Sequence, residues 1–484
     1  MTALRGETGR ASAAATATAP GALALAEFCL ALRWETLPAA VQDRARELLL
    51  DHIGVTLGGL ESASSAAVQR FVEWVSGSGG RSTMIGRRTD FAPEWAALAN
   101  GTVSHAIEMD DCTRESSLHP GVSVIPAALA VAEEAGVSLA ELLTAMVSGY
   151  EVTMRAGAAL NPESAYRRGF HPTGVAGVFG ATTAAAQLLG LSPQQLAYAL
   201  GIAGTMASGS LEYLSEGSWT KRLNPGWAAH AGIVAARLAA AGYRGPTTAF
   251  EGPLGFLHAY SDAGRPERLL ADLGEPLQIM KVAIKPYACC RYVHALIDAT
   301  LALREEHDLD PEQVEHVDLG VLSLATDLVS HPIERKRDPA SIVDAQFSAP
   351  YAAAVALVTG RAGMRQFSDE LIGNAQIRRL MAATDCHTDP ALDATYPDGM
   401  PGSVRFRMRD GRILESRVDF PLGEPENALS RAELVARFAE LSASSVDADA
   451  AGALAQRLLS LAGGEPVAEL TGLLRGPFGG GPPR

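Results

Sequence analysis

Two stretches of this chain, Val175–Leu188 and Leu196–Met206, have helical punctuation but carry apolar or small residues on nearly every face. A helix with no polar side cannot lie at a surface, so both belong inside a bundle whose other helices cover them. Pro172 opens the first run and Gly190 stops it, as expected for a helix start and end. Hydrophobic residues make up 47% of the sequence but aromatics only 6%, so the core should be tight rather than bulky, with helices approaching over alanine and glycine. At 484 residues the chain exceeds the roughly 250–300 at which single cores stop growing, and two domains are expected.

From Ala22 to about Leu270 the pattern is almost entirely helical, as in Ala39–Leu50 and Val124–Glu134. After Gly274 it changes. Val314–Leu322 is β-rich, and Val404–Phe420 alternates sides around Asp410-Gly411, a strong hairpin signal, with helical Ala345–Val358 between them. From Ser430 the run SRAELVARFAEL is helical again, with Ser430 as N-cap and Glu433 at the capping-box position. The expected fold is mainly α: a large all-helical domain with an inserted smaller α+β domain. The boundaries are a disordered tail over 1–21, the helical domain over 22–272, the α+β domain over 273–426, C-terminal helices rejoining the helical domain over 427–473, and a disordered end over 474–484.

Charge and cysteine usage exclude several classes. With 55 Asp+Glu against 40 Lys+Arg and a net charge of -15, nucleic acid and anionic membrane are poor partners. No stretch approaches the roughly 20 uncharged apolar residues that span a bilayer, and the first residues lack the apolar core of a secretion signal. Cys29, Cys112, Cys289, Cys290 and Cys386 form neither a C-x-x-C pair nor an even-numbered framework, which excludes a zinc ribbon and a secreted disulfide scaffold. A cytoplasmic protein is expected.

Against that acidic background, histidines and cations gather beside proline and glycine in Leu118–Gly121, Gly169–Gly174, Trp219–Trp227 and Lys285–His294. Such clusters suit a small anionic ligand. In HAIEMDDCTRESSLHPGVSVIP, Glu108, Asp110 and Asp111 adjoin a loop with Arg114 and His119, so the stretch can supply acid/base groups and acceptors that orient them; a solvated acidic helix end is the plainer alternative. The H-E-x-x-H spacing of a metal site is absent, and no metal is expected. His171 precedes a helix N-terminus, whose free amides and positive dipole end favour a carboxylate. Gly174, Gly177 and Gly180 miss the dinucleotide fingerprint and read as helix-packing positions. Lys221 and Arg222, flanked by Trp219 and Trp227 and followed by a turn at Asn224-Pro225-Gly226, are expected to hold a substrate anion rather than a structural salt bridge, while His230 reads as a core residue. In KPYACCRYVH the polar candidates are Lys285, Arg291 and His294; adjacent Cys289 and Cys290 read as buried thiols, too few for an iron–sulfur cluster. No cofactor is expected.

Together the segments LLLDHIGVTLGG, NGTVSHAIEMDD, HPTGVAGVFGA, LGIAGTMASG, GSWTKRLNPGWAAHAG and KPYACCRYVHALIDA, in this order between Leu25 and Leu441, resemble the MmgE/PrpD family, whose members include 2-methylcitrate dehydratase, cis-aconitate decarboxylase and iminodisuccinate epimerase. The resemblance implies a helical domain with an α+β lid, a homodimer, and a metal-free site between the two domains. It also implies active-site groups at His119, His171, Lys221 and Lys285. Three positions depart from the family pattern. Relatives commonly have Asp where this chain has Glu108, Cys112 stands at the position resembling the decarboxylase threonine, and Cys290 stands at that of a decarboxylase histidine, with His294 close by. These departures count against decarboxylation.

The expected reaction is a hydro-lyase step of the 2-methylcitrate dehydratase kind on a small di- or tricarboxylate, with an epimerase of a similar acid as the alternative; a decarboxylase and a silent binding protein rank behind both. Lys221, with Arg222, Lys285 or Arg291, would hold the developing negative charge. Either His119 or His171 would remove the α-proton, and Asp110 or Asp111 would fix a histidine tautomer. Glu108, Cys112, Cys290 and His294 complete the expected pocket.

Overall fold

The structure, a computed structural model, describes residues 21–461 and 463–476. Residues 1–20 and 477–484 of the expected tails lie outside the described residues. Gly21 already opens the first helix, Leu474 is fully buried and Arg475 pairs with Asp90 and Glu133, so the fold takes in residues expected to be disordered.

The two apolar helices do lie at the centre of a bundle. Pro172–Leu188 is packed by Leu139–Leu160, Gly121–Ala135, Pro193–Met206 and Thr220–Ala240, and this last helix also crosses Pro93–Ser104. Small residues make these crossings close. A Cβ on Gly226 would stand 2.4 Å from the Leu98 carbonyl oxygen, and one on Gly101 would stand 2.9 Å from Gly226 Cα. Any larger residue would push the two helices apart, and with them the site residues at their ends. Gly177 and Gly180 likewise face Ser123 and Gly149, in keeping with a packing role.

Helix Thr220–Ala240 runs through Pro225, where a turn was expected. The proline sits near the helix start, where its missing N–H removes one helical hydrogen bond, and the Gly226 crossing holds the helical path. Helices Leu139–Leu160, Pro193–Met206 and Arg431–Ser442 all begin with capping boxes, the last with Ser430 and Glu433 as expected. A two-stranded ribbon, Ser82–Thr83 with Asp90–Phe91, is the small β element in the helical part.

The second part is built on a four-stranded sheet in the order Thr384–Thr388, Val314–Val321, Gly402–Met408, Ile413–Val418. The first pair is parallel and the others antiparallel, and the last two strands form the hairpin around Asp410-Gly411. Helices His294–Glu306 and Ala349–Thr359 pack against each other and share one apolar core with this sheet. The helical run expected over Ala345–Val358 is broken: Ile342–Gln346 ends, and Ala349–Thr359 restarts with Ser348 as N-cap and Pro350 in its first turn. After the sheet, Leu434, Phe438, Leu454 and Leu458 of the C-terminal helices join the core of the first bundle. The fold is mainly α with a small α+β part. No helix among the described residues is long and apolar enough to cross a membrane.

Candidate active site

The acid/base groups lie on the segment between helices Pro93–Ser104 and Gly121–Ala135. Two non-glycine residues in left-handed backbone conformation bracket it, Glu108 at φ 59° and Ser117 at φ 45°. Such conformations cost energy and persist where surrounding contacts over-determine them. Those contacts are visible. Buried Arg437, from the C-terminal helix, donates to the carbonyls of Met109 at 2.6 Å and Lys285 at 2.9 Å and pairs with Asp51. Cys112 and Ala283 exchange two backbone hydrogen bonds, at 2.9 and 2.7 Å. The loop is thus stitched to the chain segment that carries Lys285.

Lys221, in the first turn of its helix, and fully buried Lys285 converge on the Glu108 carboxylate. Lys221 Nζ donates to Oε1; Lys285 Nζ lies 3.5 Å from Oε2 and donates to the Glu108 carbonyl at 3.1 Å. Burial opposes the carboxylate charge, but the two ammoniums win and hold Glu108 well below the ordinary range. Lys221 is pulled down by burial and its neighbour Lys285, against the attraction of Glu108. Its ammonium also sits 4.8 Å from the centre of the Phe347 ring, contributed by the α+β part.

Asp110 serves two histidines. Its Oδ2 lies 2.9 Å from His105 Nδ1 and 2.8 Å from His119 Nδ1. Burial opposes the charge of Asp110, yet the two imidazoles and Lys285 keep its carboxyl well below the usual range. His105 packs edge-on against His119, with centroids 4.9 Å apart, and stacks on His171 at 6.1 Å. His171 is the N-cap residue of helix Pro172–Leu188, as expected, and its Nδ1 faces the Asn224 side-chain amide at 3.1 Å. Burial pushes His119 down to about 4, with Lys285 acting the same way against Asp110, and burial with Lys221 pushes His171 well below its usual value. Both imidazoles are therefore neutral at neutral pH. The ligand-bearing atoms of His105, Asp110 and His119 lie within 4.8 Å of one another, a spacing a divalent cation could use, although no contiguous motif announces it. Hydrogen bonding accounts for the same contacts, and the nearby Lys285 ammonium opposes a cation there.

These groups open into a cavity of about 50 Å³ lined by Glu108, His119, His171, Lys221 and Lys285 on one side and by Ser117, Tyr166 and Tyr292 on another. Ser117 Oγ lies 2.9 Å from the Tyr166 hydroxyl and 2.8 Å from that of Tyr292, forming a neutral polar end. Leu328, Phe347 and Met400 close the wall from the α+β part.

Not every expected residue gathers there. Cys112 and Cys290 line the cavity as protonated thiols, burial having raised the first to about 12 and the second above its usual value. Arg291 also lines it, but its guanidinium is held by Glu424. Asp111 meets His119 Nδ1 through its backbone carbonyl, at 2.9 Å, rather than through its carboxylate, which accepts from the Tyr150 hydroxyl at 2.5 Å and the Gly121 amide at 2.9 Å. His294 is buried outside the lining, between Arg291 Nη1 at 2.7 Å and the Cys289 carbonyl at 3.3 Å, and cannot stand in for Cys290. Arg222 points away from the cavity and donates to Ser64 Oγ at 3.0 Å, because neighbouring residues on a helix face different directions. His105, Arg437 and the tyrosines went unremarked as site groups. Only His105 had a local signal, in the motif that it opens.

Comparison with known proteins places the chain in a family. The MmgE/PrpD N-terminal domain matches residues 23–269 and the MmgE/PrpD C-terminal domain residues 287–461. The cis-aconitate decarboxylase-like protein oryM of Aspergillus oryzae is 29% identical over 95% of this chain and 99% of its own length. A cis-aconitate decarboxylase of Aspergillus terreus is 30% identical over 82% of this chain and 84% of its own length, and that of Mus musculus is 27% identical over 92% and 91%. With both domains matched in order along most of its length, this chain belongs to the MmgE/PrpD family.

Proposed function

We propose that the protein is a lyase that abstracts a proton from the carbon beside a carboxylate of a small di- or tricarboxylate and then expels a hydroxyl group as water. The observation that carries this reading is the difference in tautomer between two neutral histidines on one cavity. His119 Nδ1 faces two acceptors, the Asp111 carbonyl at 2.9 Å and Asp110 Oδ2 at 2.8 Å, so it carries the proton and Nε2 is left as the free lone pair, a general base. His171 accepts at Nδ1 from Asn224, which places its proton on Nε2, a donor for a leaving hydroxyl.

The proton of the carbon acid passes to His119 Nε2, and Asp110 stabilises the imidazolium that forms. The negative charge that develops on the substrate carboxylate is met by Lys221 and Lys285, fixed in a buried site where such charges act strongly. The electron pair left on the deprotonated carbon then forms the alkene as the C–O bond breaks, and the hydroxide, which leaves with the C–O pair and is held by a hydrogen bond from His171, takes the proton back from His119. Histidines, lysines and cavity end in their starting states.

Decarboxylation is a second reading, and the relatives, cis-aconitate decarboxylases and a decarboxylase-like protein, favour it. It needs no base, but an apolar place for the departing carboxylate, for which Leu328, Phe347 and Met400 are the available wall. Proton NMR in D₂O with 2-methylcitrate, citrate, cis-aconitate and aspartate-derived acids separates the outcomes. Loss of water with C–H exchange supports the dehydratase, and loss of CO₂ supports the second reading. Exchange with inversion and no new alkene would make it an epimerase.

A further inference from the structure

A second cavity, of about 420 Å³, lies between the two parts of the molecule. It borders residues one or two positions from those of the active cavity: Ile107 beside Glu108, Ala288 two residues before Cys290, and Arg222 beside Lys221. Its walls are mostly apolar, with Ile107, Ile342, Val343, Met364 and Phe367 among them. Ser62, Ser341, Asp369, Arg222 and Gln346 are its polar side chains, and the last two each lack something.

Arg222 brings a guanidinium whose hydrogen bond goes to neutral Ser64 Oγ; among the described residues no carboxylate pairs with it. Burial lowers its affinity for the proton, against the attraction of the Glu108 carboxylate, which lies near it but forms no ion pair with it. Gln346 is 3% exposed, and its other polar groups are engaged: Nε2 donates to the Ile107 carbonyl at 3.3 Å and the Ala288 carbonyl at 3.1 Å, while its backbone oxygen accepts from the Cys290 amide at 2.8 Å. Its Oε1 is buried with no partner. Buried polar atoms are normally paired, so this acceptor lacks a donor.

We infer that this cavity is a separate binding site for an amphipathic organic acid that carries a hydrogen-bond donor, the simplest members being apolar 2-hydroxy and 2-amino acids. The acid group meets Arg222, the hydroxyl or ammonium meets Gln346 Oε1, and the hydrocarbon lies on the apolar wall. Gln346 also ties together the backbones of Ile107 and Ala288, so an occupant held by it bears on both loops that feed the active cavity.

The test is calorimetric titration of the full chain with 2-hydroxy-4-methylpentanoate, L-leucine and, lacking the donor, 4-methylpentanoate. At least one donor-bearing acid should bind saturably, about tenfold tighter than 4-methylpentanoate, which corresponds to one good hydrogen bond. Arg222→Gln and the cavity-filling Ile342→Trp should each weaken binding about tenfold or more, while Lys221→Met in the active cavity leaves it unchanged. Hydrogen exchange should slow in peptides containing Ile107 and Ala288 when the acid is bound. Absence of saturable binding by both donor-bearing acids overturns the inference. So does binding that survives both cavity variants, or binding that Lys221→Met abolishes, since the acid would then be occupying the active cavity.

Discussion

His119 Nδ1 lies 2.8 Å from Asp110 Oδ2, and His105 Nδ1 reaches the same oxygen at 2.9 Å. One buried carboxylate therefore faces two imidazoles, and the Asp111 carbonyl, at 2.9 Å from His119 Nδ1, helps to orient that of His119. The carboxylate also sets the pH range in which His119 can act as a base. Burial lowers that histidine to about 4, so it stays neutral well into acid, and kcat/KM should hold from neutral pH down to about 5 and fall below it. Asp110 is the group that pulls His119 upward. In Asp110→Asn the acid limb should move further down in pH while kcat drops about 100-fold or more, the scale of a misdirected general base. An acid limb that stays near 6.5 in the wild type would contradict the burial argument.

Glu108 occupies the space between Lys221 and Lys285 where a substrate carboxylate could sit. Glu108→Asp withdraws that carboxylate by one methylene and should favour larger acids: KM for a tricarboxylate should fall relative to that for a dicarboxylate. Lys221→Met should cut kcat/KM about 100-fold or more, the scale of losing one charge-stabilising contact in the transition state. Steady-state kinetics on both variants check the pair, and an unchanged ratio of KM values would exclude Glu108 from substrate selection.

Arg437 holds the loop that carries Glu108 and Asp110. Arg437→Met removes the hydrogen bonds to Met109 and Lys285 and leaves Asp51 buried without its cation. Breaking a buried pair from one side costs about 3–5 kcal/mol, so the thermal midpoint should fall by several degrees and activity should fall with it. A variant as stable and active as the wild type would show that the loop is held by other contacts.

Asp111 gives a prediction of opposite sign to that for an ordinary paired carboxylate. Burial raises it to about 7, above the 3.8 of an exposed Asp, so the folded state binds a proton that the unfolded state has lost. That contribution to stability is full below about pH 4 and is gone once the pH has risen past about 7. Asp111→Asn mimics the protonated form, so relative to wild type it should gain stability as the pH is raised from 5 to 8. Denaturant unfolding at the two pH values measures this directly.

The readable parts of the chain were those governed by local pattern. The faces of Val175–Leu188, the Asp410-Gly411 hairpin and the Ser430 capping box each follow from a few neighbouring residues. His171 at a helix mouth was legible for the same reason: Pro172 fixes where the helix starts. Directions within a segment were not. Arg222 adjoins Lys221 and Asp111 adjoins Asp110, yet each member of a pair faces a different environment. Arg437 was invisible because it lies 328 residues from Met109, whose carbonyl it holds, and nothing near it announces that partner. The unpaired Gln346 Oε1 depends on three long-range contacts that consume the rest of the residue.

The most direct test of the proposed chemistry follows C–H exchange in D₂O by proton NMR with the polyacid that the wild type turns over, in wild type, His119→Ala and His171→Ala. Exchange with loss of water is expected in the wild type, no exchange in His119→Ala, and exchange without loss of water in His171→Ala. Exchange at the wild-type rate in His119→Ala, or its loss only in His171→Ala, would contradict the assignment of His119 as the base.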